Sequence, residues 1–576
     1  MLTWEHVRAP RTPMVNLHST AEWVHLSSII PGPPHGAVGC LRSSANRQAR
    51  AAHRRPLSPG SRIMNREAFH WFWLAQVVGL IAWLAAAGAP AQPAGKGSEP
   101  RPTYKNPLDV TVDTDGRTAR VVLTGTRTLA VVDLATGRIA EETPWPEGKR
   151  LPRPSDVPIH APNEPTAARI REQLAQLSPD RRREIRAVAW AGPGELLLAQ
   201  VQARSSLPAT QISQGWVFQN SLGIEPFAPQ GEQVQRGAGA TLILDDARRA
   251  HAELADVVGW PERQRVFLAA AGADVVLVYD LDRVRNAMSK YADHASLSQG
   301  PRHLLARLPT QANPRRVGLS GDGKTLVVSN YLGDSLTVID AEKLKVVKHI
   351  PLSGPKPDAA RRGELLFNSG RLTQFGQFSC ASCHPNGGSD GLNWDLPRDG
   401  VGNFKNTKSL LGVKDTAPYG WLGTSPTLAD RVAGTLRTLH KYEPSDEEVK
   451  DIVAYLETLP PPSPPARSEL PAESLKAVER GQGLFEGKAR CNGCHAGPTF
   501  DDGKLHDVGT GTILGEERIN TPSLRGLSSS APYLHDGRAQ SIEEVFSKYN
   551  ERRKHGDADR LTAEELADLV AYLRSL

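Results

Sequence analysis

The sequence predicts a multidomain protein in which an all-β region, organised as a propeller, is followed by two mainly α-helical domains. Three observations lead to this prediction. Short strands and tight turns recur along residues 101–352. From residue 357 onward the pattern changes to amphipathic helices and loops, and this part is internally duplicated. A proline-rich stretch at 460–465 lies between the two copies and is typical of a stiff linker.

The all-β prediction rests on a repeated unit. Residues 313–352 contain a strand, a tight Asp-Gly turn and further strands, and the same arrangement occurs 207 residues earlier. Repeats of roughly 40 residues with several short strands each are typical of propeller blades. The unit resembles the YVTN-type β-propeller repeat of many bacterial surface and periplasmic proteins. The region is long enough for six or seven blades, although a Pro-rich loop and a helix within 145–182 take up part of it.

The helical part consists of two related halves, 357–459 and 473–576. The segment Arg-Gly-x-x-Leu-Phe lies near the start of each half, at Arg362 and Arg480. Two further motifs, Asn-Thr-x-Ser-Leu and Ala-Pro-Tyr, recur 114 residues apart. Each half ends in an amphipathic helix that contains Val-Ala-Tyr-Leu. We therefore expect two copies of one helical fold.

Each half also contains the motif Cys-x-x-Cys-His. Two thiols three residues apart can add to the two vinyl groups of one porphyrin, and the adjacent imidazole can then bind its iron. The motif predicts a covalently bound haem c in each half. The alternative, one zinc site built from all four thiols, would leave both histidines unexplained. The motif residues are Cys380, Cys383 and His384 in the first half and Cys491, Cys494 and His495 in the second.

Methionine is absent from both halves, since the four methionines are Met1, Met14, Met64 and Met288. The methionine that commonly serves as the sixth iron ligand in electron-carrying cytochromes is therefore missing near either motif. This argues against a simple high-potential electron shuttle.

The N-terminal part predicts export. Residues 64–91 combine an early arginine, an apolar run and small residues suited to cleavage, as in a secretory signal peptide. An uncleaved membrane anchor and a buried core helix are the alternatives. Residues 1–63 have the composition of a non-native N-terminal extension. Because haem c is attached outside the cytoplasm, a periplasmic location is expected.

The charge distribution argues against a nucleic-acid partner. The chain has 69 Lys and Arg against 63 Asp and Glu, and residues 1–63 hold eight of the former and two of the latter. The rest of the chain is therefore neutral. The positive net charge of the chain therefore needs no basic surface to explain it, and no nucleic-acid partner is expected.

The order of motifs over residues 357–576 resembles that of the bacterial dihaem cytochrome c peroxidase and MauG family. The resemblance implies that both helical halves are cytochrome c domains and that His384 and His495 bind iron. It also implies that a small electron-donor protein, a cytochrome c or blue copper protein, reduces the second haem. The first haem then reacts with hydrogen peroxide or supports oxidation of another substrate.

The same resemblance implies roles for two residues between the haems. Trp421 falls where the family has an aromatic electron relay, although packing beside a haem is an equal alternative. Asn406 resembles a calcium ligand of the family, whereas a helix-capping or turn role is the ordinary alternative. Calcium is therefore a possible third cofactor.

The sixth ligand of the second haem has two candidates. Tyr549 stands where the family has Met or Tyr, and His555 lies six residues farther on. A site without either ligand is the third alternative. His535 is expected to anchor its loop rather than bind iron.

The first haem departs from the family. Its Gln and Glu, which move protons during peroxide cleavage, correspond by ungapped counting to Arg431 and Lys441. His440 or Glu443 could substitute after a small shift, and we therefore predict them as catalytic together with Trp421. His440 could equally close the site as a sixth ligand or lie on a helix surface.

These observations predict a periplasmic dihaem c-type cytochrome with peroxidase activity. The first alternative is an electron relay without peroxidase activity, whose propeller binds a partner or substrate. The second is an enzyme whose propeller carries the substrate site and whose haems only accept electrons from it.

Overall fold

The computed structural model describes residues 102–576, apart from 177–182, 193, 228–239, 247, 291–299, 397–399, 467, 469 and 517. All of them belong to one unit that spans Arg66–Leu576. The predicted N-terminal extension at 1–63 and the predicted signal peptide at 64–91 lie outside the described residues. Within the described part, no helix has the length and apolar character needed to cross a membrane.

The N-terminal region contains four sheets in chain order, as expected for an all-β region of repeated units. All strand pairs are antiparallel except β5 with β6. Neighbouring strands in each sheet are also neighbours in sequence, which is the up-and-down order of a propeller blade. The first sheet consists of β1 (Pro107–Val112), β2 (Thr118–Leu123), β3 (Thr128–Asp133) and β4 (Arg138–Pro144).

The second sheet has five strands: β5 (Ile159–His160), β6 (Arg183–Gly192), β7 (Glu195–Ala203), β8 (Phe218–Pro226) and β9 (Ala240–Ile243). The third consists of β10 (Leu254–Trp260), β11 (Arg265–Ala270), β12 (Val275–Asp280) and β13 (Leu304–Pro309). The fourth consists of β14 (Pro314–Leu319), β15 (Thr325–Asn330), β16 (Ser335–Asp340) and β17 (Lys345–Pro351). Two helices, α1 (Glu164–Gln176) and α2 (Leu281–Lys290), accompany the second and third sheets.

The sheets pack side by side through their inner strands. Strand β10 lies against β6 on one side and β14 on the other, and β14 lies against β1. Three apolar cores fill these junctions: second with third sheet, third with fourth, and fourth with first.

The described residues of the N-terminal region thus form four sheets, fewer than the six or seven blades that the length of this region would allow. The long strands of the second sheet, together with α1 and the loop before it, take up the difference.

The tight turns have the predicted geometry. Gly323 has a φ of +75°, and a Cβ there would lie 2.4 Å from the ring of Trp260. Both the left-handed backbone and the close approach require glycine.

The two helical halves have parallel element orders. The first contains α3 (Ala359–Phe367), α4 (Cys380–Cys383), the hairpin β18 (Asn393–Asp395) and β19 (Phe404–Asn406), α5 (Leu428–Thr438) and α6 (Asp446–Leu456). The second contains α7 (Ala472–Glu486), β20 (Leu505–Asp507), β21 (Arg518–Asn520), α8 (Ile542–Ser547) and α9 (Ala563–Arg574).

The repeated Arg-Gly pair has a structural explanation, because it lies where the first and last helices of each half cross. A Cβ at Gly363 would lie 1.8 Å from the backbone oxygen of Asp451, so only glycine permits this approach. The preceding Arg362 donates two hydrogen bonds of 2.7 Å to the Asp451 carboxylate. Arg480 and Asp568 repeat this contact in the second half.

Candidate haem sites and the segment between them

The first Cys-x-x-Cys-His motif is held in a short capped helix. Ser379 is the N-cap residue of α4, and its backbone N–H donates to the hydroxyl of Ser382 at 2.9 Å. Both serine hydroxyls also donate to the carboxylate of Glu253, a buried residue of the sheet region. Arg186 lies 3.7 Å from the same carboxylate. A carboxylate at this end of a helix is favourable, because it satisfies donors and faces the positive end of the backbone dipoles.

Both motif histidines are oriented in the same way. The Nδ1 of His384 lies 3.1 Å from the carbonyl oxygen of Gly388, and that of His495 lies 3.0 Å from the carbonyl of Phe500. Burial lowers the pKa of both imidazoles, that of His384 to about 4. A neutral imidazole whose Nδ1–H is held by a carbonyl presents Nε2 to a metal.

Each motif faces its own cavity. The first cavity, about 1490 Å³ including the part open to solvent, contains the side chains of Cys380, Cys383 and His384 in its wall. The second cavity, about 1890 Å³ on the same basis, contains those of Cys491, Cys494 and His495. The four motif cysteines are free thiols, as attachment to a porphyrin requires.

The walls also suit the two propionates of a haem, since they combine apolar side chains with cations. The cations of the second cavity are Lys408, Arg490, Arg525 and Lys554. The residues present therefore fit a covalently bound haem in each cavity.

A single wall separates the two cavities. Residues 406–409 and Trp421 line both of them. The indole N–H of Trp421 donates to the carbonyl of Asn406 at 2.7 Å, and the ammonium of Lys408 lies 4.9 Å from the centre of the Trp421 ring. An aromatic side chain is thus fixed between the cavities, where the sequence predicted an electron relay.

The duplicated motifs meet at this wall. The backbone N–H of Asn406 donates to the carbonyl of His535 at 2.8 Å, and the N–H of Asn520 donates to the carbonyl of Trp421 at 2.8 Å. Asn406 and Asn520 are equivalent in the repeat, as are Trp421 and His535. The two halves are therefore joined by a reciprocal pair of hydrogen bonds.

His555 lines the second cavity opposite His495. The centres of the two imidazole rings lie 6.4 Å apart, and the rings are inclined by 35°. Burial lowers the pKa of His555 to about 4, and its Nδ1 is buried without a hydrogen-bond partner among the described residues. Two imidazoles that share one metal at about 2 Å from each nitrogen have ring centres about 6 Å apart. The pair His495 and His555 fits one iron between them.

Tyr549, the other candidate ligand, lies outside the lining of the second cavity. Its ring instead packs near two cations, with the ammonium of Lys548 5.1 Å and the guanidinium carbon of Arg538 5.9 Å from the ring centre. The ungapped count that selected Tyr549 therefore points to a residue beside the cavity.

The residues predicted as catalytic at the first haem are placed differently from what the sequence led us to expect. Glu443 is 73% exposed and forms an ion pair with Arg437 at 2.8 Å, so it lies on the surface. This placement does not support the predicted catalytic role. His440 is buried, but its Nδ1 lies 2.7 Å from the hydroxyl of Thr373 and its side chain is outside the described cavity lining. Arg431, in contrast, lines the first cavity.

The calcium prediction for Asn406 remains a prediction. Its side-chain amide donates to the amide oxygen of Asn393 at 3.1 Å, so its neighbour is a neutral oxygen. The described residues contain one group of three potential His, Cys, Asp or Glu metal ligands: Cys494, Asp502 and His506. Cys494 belongs to the second haem motif, so this group is not a separate site.

Sequence reasoning missed Glu253 and Lys408. Glu253 contacts a motif 126 residues away, and no local pattern marks such a contact. Lys408 had a visible signal, because it replaces the proline found at the same place in the second Asn-Thr-x-Ser-Leu motif.

Two such motifs facing cavities are the sites of c-type cytochromes, and the helical part of the chain is of this class. The model of the family described as di-haem cytochrome c peroxidase matches residues 357–461, and that of cytochrome c matches residues 478–576. The chain therefore carries a di-haem cytochrome c peroxidase domain followed by a cytochrome c domain, which confirms the resemblance inferred from the motifs.

Similar proteins match about two fifths of the chain. The gamma subunit of hydrazine synthase from Kuenenia stuttgartiensis is 29% identical over 287 residues, 40% of this chain and 80% of that protein. The methylamine utilization protein MauG from Methylorubrum extorquens is 29% identical over 286 residues, 40% of this chain and 81% of that protein. A cytochrome-c peroxidase from Pseudomonas sp. (strain SCT) is 26% identical over 306 residues, 39% of this chain and 83% of that protein.

Proposed function

We propose that this chain is a periplasmic, dihaem, c-type oxidoreductase that uses electrons from a small donor protein to reduce hydrogen peroxide. One observation carries the proposal: two Cys-x-x-Cys-His cavities share a wall that contains Trp421. When bound, the haems would supply one-electron redox chemistry. The names of similar proteins, MauG and cytochrome-c peroxidase, support the same class.

The second cavity has the residues of an electron-entry site. His495 and His555 face each other and would together hold one iron. A closed coordination sphere suits electron transfer, because no position is left for a substrate. With two imidazoles and no methionine, the potential of this site is expected to be lower than that of a His/Met cytochrome.

The first cavity has the residues of a reactive site. His384 would hold the iron from the side of α4, and α5 forms another part of the wall through Arg431 and Thr435. No second histidine lines this cavity among its described residues. Access of a small oxidant to the metal at this site is part of the same proposal.

The sheet region supports the first site. We propose that its four sheets belong to a propeller-type domain whose role includes positioning α4 through Glu253. Export through the segment at 64–91 belongs to the same proposal, since haem c is attached outside the cytoplasm.

The test uses the purified protein with its haems attached and a reduced small cytochrome c as donor. We expect two haems per chain and donor oxidation that depends on added hydrogen peroxide. The variant Cys491→Ser with Cys494→Ser removes the second attachment site and should abolish donor oxidation. It should leave the first haem attached.

An electron relay without peroxidase activity is the second candidate. The absence of Asp and Glu from the described lining of the first cavity favours it, because peroxide cleavage needs a group that moves a proton. Donor oxidation that proceeds equally with and without peroxide, with both haem spectra unchanged by peroxide, would contradict the peroxidase proposal and support the relay.

A further inference from the structure

Lys408 is a cation in the wall between the two haem cavities. It lines both of them, and among their described lining residues it is the charged side chain that they have in common. A charge at this place acts on both sites at once, whereas the other lining cations belong to one cavity each.

The ammonium of Lys408 is fixed beside the residue predicted to relay electrons. It lies 4.9 Å from the centre of the Trp421 ring, within the range in which the ring face attracts a cation. The ring is itself held in place, because its indole N–H donates to the carbonyl of Asn406 at 2.7 Å. Burial lowers the pKa of Lys408 to about 8, and the carboxylate of Asp501 opposes this effect. The side chain is therefore an ammonium at pH 6.

The duplication of the chain shows that the fold does not require a lysine here. At the offset of 114 residues, Pro522 corresponds to Lys408 in the second Asn-Thr-x-Ser-Leu motif. The two backbones serve the same purpose. Burial lowers the pKa of His384 and of His495, and a backbone hydrogen bond from Lys408 or from Pro522 opposes it at the respective histidine. The lysine thus adds a charge that the equivalent position lacks.

A fixed positive charge has a definite effect on a redox site. It stabilises an added electron, so it favours the reduced form and raises the reduction potential. The effect is stronger in a partly buried wall than at the surface, because bulk water screens it less.

We propose that Lys408 is the shared cation that raises the reduction potentials of the haems on both sides of the wall. This inference rests on the proposed function, because it requires a haem held by each motif. It assigns to Lys408 a tuning role in that function, exerted through charge and not by contact with a substrate.

The test is a redox titration of the protein with both haems attached, at pH 6 and without peroxide or donor protein. Electron paramagnetic resonance counts each ferric haem separately during the titration. In Lys408→Met, which removes the charge and keeps the length, we expect the reduction equilibrium of both haems to shift about tenfold toward the ferric form. For a one-electron couple this corresponds to about 59 mV.

Two further variants serve as controls. Lys408→Arg keeps the charge and can also lie over an aromatic ring, so both reduction equilibria should stay within about twofold of the wild type. Lys414→Met removes an exposed lysine that lies outside both described cavity linings, and it should change neither potential. If Lys408→Met attaches less than two haems, Lys408→Gln takes its place as the neutral variant.

Unchanged potentials in the neutral variant would show that Lys408 only packs against Trp421. A shift confined to one haem would show that its charge serves a single site. Failure of both neutral variants to attach haem would assign Lys408 to assembly. Each of these results overturns the inference. None of them depends on peroxide, and a wild-type protein that lacks peroxide-dependent donor oxidation would defeat the proposed function while leaving the measured potentials valid.

Discussion

His555 illustrates how a single side chain can define the chemistry of a haem. Its backbone is fixed by Asn550, which donates to the carbonyl of His555 at 3.2 Å and accepts from its N–H at 2.9 Å. Its ring lies 5.8 Å from that of Phe546 inside the second cavity. Because burial lowers its pKa to about 4, the imidazole is neutral at pH 7 and can bind a metal.

We predict that His555→Ala opens the second haem. The wild-type protein should show a low-spin ferric signal for this haem in electron paramagnetic resonance, since the imidazoles of His495 and His555 would together hold its iron. The variant should convert this signal to high spin, and added imidazole should restore it. Tyr549→Phe is the matched control, and loss of the low-spin signal in that variant instead would identify Tyr549 as the ligand.

Trp421 is the second residue whose position bears directly on the proposed function, because its side chain lines both cavities. We predict that Trp421→Phe slows electron transfer between the haems by at least about tenfold, as it removes the indole and its hydrogen bond to Asn406. Rapid mixing with a reduced donor, followed at the absorption of each haem, measures this rate.

Trp394→Phe provides the control for that experiment. Trp394 lines only the first cavity, and its indole N–H donates to Asp390 at 2.8 Å. If both tryptophan variants slow the transfer equally, Trp421 has only a packing role.

At the scale of single residues, the sequence predicted those functional residues that the chemistry of haem attachment requires to lie close together in the chain. Attachment of one haem demands two cysteines and a histidine in adjacent positions, so Cys380, Cys383 and His384 could be found without a structure. A sixth ligand has no such constraint. It comes from a loop whose path is set by packing, and counting along the chain therefore selected Tyr549 and left His555, six residues farther on, as the alternative.

The helix α4 is the element that depends most on its surroundings. It spans Cys380–Cys383, too few residues to be stable alone. Its first turn is held by Ser379, Ser382 and the carboxylate of Glu253. The sheet region thus contributes directly to the geometry of the first haem motif.

We predict that Glu253→Ala lowers attachment of haem at the first motif and leaves the second motif unchanged. Removing the carboxylate leaves two hydroxyl donors without their acceptor and takes away one of the two carboxylates beside Arg186, a loss of about 1–3 kcal/mol. Mass analysis of the two motif peptides measures attachment at each site.

Glu184→Gln serves as the control, because Glu184 also pairs with Arg186, at 2.9 Å, but its side chain is 55% exposed. Equal haem loss at both motifs in Glu253→Ala would indicate general misfolding rather than loss of the cap.

Elements were predicted well where one short pattern determines them. The Asp-Gly turns and the final helices of both halves follow from local sequence, and the repeated Arg-Gly pair reflects a helix crossing that only glycine allows. The number of sheets did not follow from length, because strand length varies between sheets. Three of the five strands in the second sheet have nine or ten residues, whereas the strands of the first sheet have six or seven.

In the whole molecule, the first cytochrome domain lies between two partners. One apolar cluster joins it to the sheet region: Phe218 packs against Phe378 and Trp394, with ring centres 5.0 Å and 4.9 Å apart. Backbone hydrogen bonds reinforce this junction, such as that from Ala250 to Phe375 at 2.7 Å. On its other side, the reciprocal bonds of Asn406 and Asn520 join it to the second domain.

The second cytochrome domain has a core of its own. Its buried apolar cluster draws every member from 470–576, among them Phe485, Leu524 and Leu569. The first domain also has a cluster of its own, drawn from 366–459, and it has a second cluster that it shares with the sheet region through side chains such as Phe218 and Ile212. The two halves therefore differ in independence although their folds are related.

We predict that residues 466–576, expressed alone with a signal peptide, attach one haem and unfold in a single cooperative transition. Residues 353–465 alone should attach less haem and bind a hydrophobic dye, because separation exposes the surface that Phe218 covers.

The matched point variant is Phe218→Ala in the full chain, which should destabilise the first domain by about 3–5 kcal/mol, as expected for a buried aromatic side chain. Haem content and thermal unfolding measure both effects. Equal behaviour of the two isolated domains would mean that the first domain folds without the sheet region, and the role of that region would then have to be sought in binding another molecule.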